Sequence, residues 1–353
     1  MGKYIKEFVR NFGLPRLIIL GFFIFLCVLA LVLGLDFAEL MSSSLVRIGM
    51  NGVLVLAMLP AIVSGIGPNF GVSLGILCGL IGSLMAIEFR LDGFANLFAA
   101  ILFSMPFAVA VGYGYGWLLN RVKGSEMMLA TFVGFSTVSV MKIAWLILPF
   151  KSPEMAWPIG RGLRVTVSLE NRQLSQLLNN FLAFEIGGIV IPTGLLLFFL
   201  ACCLLMWLFM RSKAGVSMST AGSNPRFAEA AGIDVNQNRI LGTIVSTILG
   251  AVGILVYAQS YGFLQLYEGP MFMPFVAVAA ILIGGASIRK ATIAHVIIGV
   301  FLFQGILVVA MPVANTITTV FPTDMTSMAE ISRIIIQNGI ILYALTQTGG
   351  EQA

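Results

Sequence analysis

Apolar runs, most of them long enough to cross a bilayer and separated by short charged breaks, constrain this chain more than anything else in it. The first, "LIILGFFIFLCVLALVLGL", occupies residues 17–35. At 1.5 Å rise per residue, about 20 apolar residues cross the hydrocarbon of a membrane. Comparable runs follow at 49–65, 72–89, 94–119, 127–148, 186–210, 240–258, 272–287 and 292–311, with a shorter one at 334–345. Only 10% of the 353 residues are charged, where a soluble domain usually has about 25%. The pattern predicts an all-α, polytopic membrane protein of about ten helices, some broken or re-entrant. A membrane β-barrel would instead show alternating segments of about ten residues.

The basic residues divide unevenly between the breaks. With the N-terminus on the cytoplasmic side, that side receives Lys3, Lys6, Arg10, Arg16, Arg121, Lys123, Arg211, Lys213, Arg226, Arg239, Arg289 and Lys290. The opposite side holds Arg47, Arg90, Lys151, Arg161, Arg164 and Arg172. The excess of basic residues in short inner breaks places both termini in the cytoplasm. The net charge of +5 then reports a membrane face and not a nucleic-acid surface. The basic lead before residue 17 does not read as a cleaved signal peptide. The chain reads as one transmembrane domain over 1–353: a helical group at 17–149, an extracytoplasmic excursion at 151–185 and a second group at 186–346. In the excursion, Leu174, Leu177, Leu178 and Phe181 recur at helical spacing, which predicts an amphipathic helix against the outer face.

Few polar residues interrupt the spans. "SGIGPNFGVSLG", residues 64–75, breaks the helical pattern with Gly65, Gly67, Pro68 and Gly71. Proline lacks the donor and glycine admits positive φ. Ser64, Asn69, Phe70 and Ser73 are therefore candidates for a translocation path, because broken helices are tolerated where they face protein or a cavity. A tight turn in which Asn69 only caps the next helix is the alternative. Lys142 either snorkels to a boundary or needs a partner. His295 is the only histidine, so no multi-histidine metal site exists. Cys27, Cys78, Cys202 and Cys203 lie in apolar runs without metal spacing. No HExxH, GxSxG or GxxxxGK[ST] pattern is present, which argues against an enzyme and against a nucleotide site in this chain.

One polar stretch, "STAGSNPRFAEAAGIDVNQNR" at 219–239, reads as a short capped helix between two spans. Asn224 is placed to cap it, Pro225 suits its first position, Gly232 terminates it and Asp234 caps the next helix. About two turns of helix do not persist alone in water. Arg226 and Glu229 offer polar anchors, and Phe227, Ala230 and Ala231 a small apolar face.

Within it, "GSNPRFAEAAGIDV" resembles the cytoplasmic coupling loop of ribose-type ABC importer permeases, with its Gly-x-Asn-Pro, small-residue helix and Gly-Ile-x-Val. "GPNFGVSLG" and "LIGGASIRKATIAH" are similar to two further glycine-rich stretches of that family, in the same order. Asn69 stands where the family often has Asp, so substrate identity does not carry over. The resemblance implies a permease that does no bond chemistry. A coupling loop at 214–239, with Gly222, Asn224, Pro225, Arg226, Phe227, Glu229, Ala231 and Gly232 at its centre, would enter a cleft of a separate ATPase that holds ATP and Mg. It also implies a second permease copy or sister chain, an extracytoplasmic solute-binding protein and a bacterial inner membrane. Monosaccharides are the implied solute class, with nucleosides, autoinducer-2 and branched-chain amino acids as alternatives. An ion-coupled carrier is the reading from another class.

Overall fold

The computed structural model describes residues 14–157, 162–320 and 339. Helices α1 to α6 cover Leu14–Val32, Phe37–Leu56, Met58–Val63, Val72–Glu88, Gly93–Arg121 and Glu126–Ile147. After the excursion come α8 (Thr193–Arg211), α9 (Lys213–Ser223), α10 (Pro225–Ala230), α11 (Val235–Tyr261), α12 (Gly269–Ile283) and α13 (Ile293–Val320). Among the described residues, six helices are long and apolar enough to span and three apolar ones are shorter. The fold is an all-α polytopic membrane protein. The run at 334–345 apart from Gly339, both termini, and Lys3, Lys6, Arg10, Arg161 and Arg333 lie outside the described residues.

Helix α11 runs through the middle and packs on α5, α4 and α2, while α13 packs on α2, α12 and α1. Helix α4 is apolar all round and is buried on nearly every residue, as a helix enclosed by others should be. Phe25, Leu102, Phe132 and Leu205 point away from this core and are exposed on the chain by itself. That outward apolar belt is what a lipid-facing surface requires. Trp117 and Trp207 carry Arg121 and Arg211 over their rings at 4.3 and 3.9 Å. Aromatic and basic residues paired in this way mark a membrane boundary.

The second span starts earlier than its hydropathy suggests. Asp36 caps α2, accepting from the backbone N–H groups of Ala38 and Glu39 at 3.0 and 3.1 Å. The span then continues through α3 as Phe37–Val63, 27 residues in all. Sequence placed its start at 49 because Ser42, Ser43, Ser44 and Arg47 lower the local hydropathy. Two of those hydroxyls fold back on the helix, Ser42 onto the Ala38 carbonyl and Ser44 onto that of Leu40, both at 2.8 Å. The ladder breaks at Ala57 because Pro60 has no N–H for the Leu56 carbonyl.

The excursion also departs from expectation. No continuous amphipathic helix forms. A single 3-10 turn at Glu170–Arg172 is followed by a four-residue helix α7, Leu177–Asn180. Gln173 and Gln176 adopt left-handed backbone at φ 50° and 53° and break the run between them. Leu174 and Leu178 are nonetheless buried, at 2% and 4% exposure, while Leu177 is half-buried and Phe181 is exposed, so the periodicity reported burial for two of its four residues and continuity wrongly. Strand β1 (Thr166–Ser168) pairs antiparallel with β4 (Phe263–Gln265), Val167 opposite Leu264. Strands β2 (Phe184–Ile186) and β3 (Ile189–Ile191) form a hairpin turned by Gly187 and Gly188 at positive φ. The span expected from 186 therefore begins only at Thr193. Arg172 ties the excursion down through Glu154 at 2.8 Å and Asp92 at 3.4 Å, and the hydrogen bond to Glu154 raises its pKa further.

Candidate functional site

The capped helix between the spans is α10. The Asn224 side-chain oxygen accepts from the Phe227 N–H at 3.1 Å, and Pro225 opens the helix. At the other end Gly232, at φ 77°, donates to the Glu229 carbonyl at 3.0 Å, and Ile233 donates to that of Ala228 at 2.9 Å. These two bonds form the Schellman closure. Asp234 then caps α11 through the Gln237 N–H at 3.0 Å. A small apolar cluster of Ala221, Ala228 and Val235 holds the hairpin together. Arg226, Phe227, Glu229 and Ala231 are exposed, Phe227 at 61%. A large aromatic side chain is thus presented outward by a locally rigid two-turn knob. Sequence had not separated α9, an 11-residue helix capped by Ser212, from the loop.

Helix α9 connects this knob to the first broken helix. Gly222 lies so close to the Val63 carbonyl and the Gly65 backbone that a Cβ there would collide with both. Arg239, near the start of α11, pairs with Glu126 of α6 at 2.6 Å and donates to the Gly65 carbonyl at 3.5 Å. A displacement of α9 therefore meets the 64–71 turn directly, without slack.

Within that turn, Asn69 is 1% exposed and fully engaged. Its side-chain oxygen accepts from the Gly71 N–H at 3.0 Å and the Tyr115 hydroxyl at 2.9 Å. Its amide donates to Ser246 at 3.0 Å, and Ser246 donates to the Ala57 carbonyl at 2.7 Å. Ser64 donates to the Ala61 carbonyl at 2.9 Å. Ser73 reaches only to the Phe70 carbonyl, at 3.5 Å, and Phe70 packs on Phe275 with ring centroids 5.2 Å apart. The structure gathers Ser64, Asn69 and Phe70 in one buried turn with Ser73 in the first turn of α4 beside them, and none of them lines a described cleft.

One cleft lies in the excursion, between Glu154, Arg164, Glu170 and Tyr261, and two more lie on another face. One, of about 440 Å³, is lined by Asp36, Glu39, Ser43, Arg47 and Gln304 among others. A second, of about 270 Å³, is lined by Arg47, Asn51, Tyr257, Gln265, Glu268 and Gln304. They meet at Arg47, Gln304 and Leu307. Glu39, Ser43, Arg47 and Asn51 recur every fourth residue on α2, so they form one polar stripe. That spacing was readable in the sequence but was hidden by starting the span at 49. An unpaired guanidinium facing lipid near mid-depth costs about 3 kcal/mol on insertion scales. Lys142 has a partner after all, Glu268 at 2.9 Å. Gly284 backs onto the His295 carbonyl where α12 meets α13, and the His295 Nδ1 has no hydrogen-bond partner among the described residues. Among those residues no group of three His, Cys, Asp or Glu could hold a metal ion.

A family model described as "Branched-chain amino acid transport system / permease component" matches residues 40–341. The chain is similar to the autoinducer 2 import system permease protein LsrD of Salmonella typhimurium (strain LT2), 29% identical over 133 residues, 35% of this chain and 39% of that one. It is similar to the nucleoside ABC transporter permease protein NupB of Lactococcus lactis, 23% identical over 229 residues, 62% of this chain and 59% of NupB. It also matches a tyrosine transport system permease protein of Clostridioides difficile, 29% identical over 131 residues, 36% of this chain and 43% of that one. The matches thus span between 39% and 59% of these relatives' own lengths. No solved structure matches the chain at a comparable level.

Proposed function

The chain belongs to the family of branched-chain amino acid transport system permease components, and from that premise we propose that it is the membrane-spanning subunit of an ATP-driven importer of a small polar solute. The observation that carries this reading is α10: a helix too short to persist alone, capped at both ends, presenting Phe227 at 61% exposure and joined without slack to a broken membrane helix. Such a knob fits a groove on a separate ATPase, and Arg226 and Glu229 flank it as polar anchors. ATP and Mg belong to that partner, and this chain gates without bond chemistry. The α10 end is then cytoplasmic, as are both termini, and the excursion faces outward to receive solute from a binding protein. A second permease copy or sister chain completes the route across a bacterial inner membrane.

The proposed transmission runs from α10 through Gly222 to the turn that carries Ser64, Asn69 and Phe70, with Ser73 beside it. These four residues take part in the route by moving with that turn when the cytoplasmic end opens. Monosaccharides remain the working solute class. Nucleosides, autoinducer-2 and amino acids are the alternatives that the names of similar permeases suggest.

The test is to purify the assembly and substitute Phe227→Ala with Glu229→Ala. Exposed aromatic anchors at such grooves carry much of the binding energy, so coupled ATP turnover should fall at least about tenfold while the membrane fold is unchanged. Normal coupling in a normally assembled double variant would overturn the role given to α10.

A further inference from the structure

Arg47 lies ten residues into a 27-residue span, which puts it about 15 Å from one end of the helix. It is exposed on the chain, and its guanidinium makes no hydrogen bond or ion pair among the described residues. The acidic groups along its clefts do not neutralise it. Asp36 caps its own helix, Glu268 pairs with Lys142, and Glu39 is eight residues away, about 12 Å of helical rise. Gln304 points to the same place independently. It is 3% exposed and borders both clefts, yet its amide makes no hydrogen bond among the described residues. The amide atoms are not among the enclosed polar atoms that lack a partner, so they open on the clefts, and a charge within a span ordinarily marks a route or a ligand.

We infer that the junction of the two clefts is a binding site for an anionic group of the carried solute, a carboxylate or a phosphate, held by the Arg47 guanidinium with the Gln304 amide beside it. Guanidinium binds both groups through paired N–H donors. Asn51, whose amide donates to the Arg47 carbonyl at 3.0 Å, keeps its side-chain oxygen for a hydroxyl or amine of the same solute. The site rests on the permease reading and narrows it, away from neutral monosaccharides and nucleosides and towards solutes that carry a carboxylate or phosphate, such as amino acids or acidic sugars.

The test uses the full assembly in membrane vesicles, with Ser43→Cys as a reporter one helical turn from Arg47. The chain without that change supplies the background from its own cysteines. Modification by a sulfonate-bearing and a trimethylammonium-bearing methanethiosulfonate is timed with Arg47, Arg47→Lys and Arg47→Gln. The anionic-to-cationic rate ratio should fall at least about tenfold in Arg47→Gln and hold in Arg47→Lys. Acetate or inorganic phosphate should slow modification only when Arg47 is present, and which anion protects identifies the group. An unreactive reporter, a ratio indifferent to Arg47→Gln, or a ratio without protection by either anion would each overturn the site. Co-purification of an ATPase is scored on the same preparation. Its absence would strike the permease reading, while the reagent rates would still report on the cleft.

Discussion

Asn69 shows how one polar side chain can hold a broken helix together. It joins the 64–71 turn to α5 through Tyr115 and to α11 through Ser246, and Ser246 in turn takes the Ala57 carbonyl. Hydrogen bonds between membrane helices average only about 0.6 kcal/mol, so Tyr115→Phe should cost about that much. Asn69→Ala strands several buried groups at once and should cost about 2–3 kcal/mol. Thermal unfolding in detergent would compare the two, and equal effects would sink the network's role. The side chains of Arg239 and Glu126 are 10% and 14% exposed. Glu126→Ala alone leaves a buried charge and should cost about 3 kcal/mol, while Glu126→Ala with Arg239→Met should recover most of that loss. A double-mutant cycle showing simple additivity would contradict this. Sequence singled out Asn69 as a candidate but could not say whether it faced a cavity or packed in a turn, because its partners are 46 and 177 positions away.

At the scale of elements, local chemistry was the most legible part of this chain. Asn224, Pro225, Gly232 and Asp234 act within a few residues of themselves, so the caps of α10 and α11 could be read before any packing was known. Asn224→Ala and Gly232→Ala should each loosen α10 by about 1 kcal/mol. Hydrogen exchange at the amides of Phe227 and Ile233 should then quicken about fivefold, with α11 unaffected. Unchanged exchange would mean that tertiary contacts, not caps, hold the helix. Periodicity was less reliable where the environment was not a plain helix. Leu174, Leu177, Leu178 and Phe181 share helical spacing, yet Gln173 and Gln176 take left-handed backbone and the excursion settles as short pieces on α8 and α11. The cost of two left-handed residues is small beside the burial of Leu174 and Leu178.

Across the whole molecule, the capped loop at 214–239 and the excursion lie at opposite ends of α8 and α11. The basic breaks predict that the loop end is cytoplasmic. A cysteine at Ser223 should accept an impermeant thiol reagent only after cells are permeabilised, and one at Asn171 should accept it in intact cells. Both positions are exposed. Labelling of both from the same side, or the reverse pattern, would overturn the orientation and with it the placement of an ATPase against α10.

The sequence by itself determined the membrane class, the approximate spans and the capped helix. Hydropathy acts over about twenty adjacent residues, and caps act over four. It also held the polar stripe of α2 as a spacing, unread because polar residues and a break in hydropathy look alike in one dimension. Only the tertiary structure decided that Asn69 is enclosed, that Gly222 presses on the broken helix, and that Arg47 and Gln304, 257 positions apart in the chain, border the same clefts. Those facts depend on which helices become neighbours. Non-directional burial and close backbone approach choose the neighbours, and neither leaves a local signature.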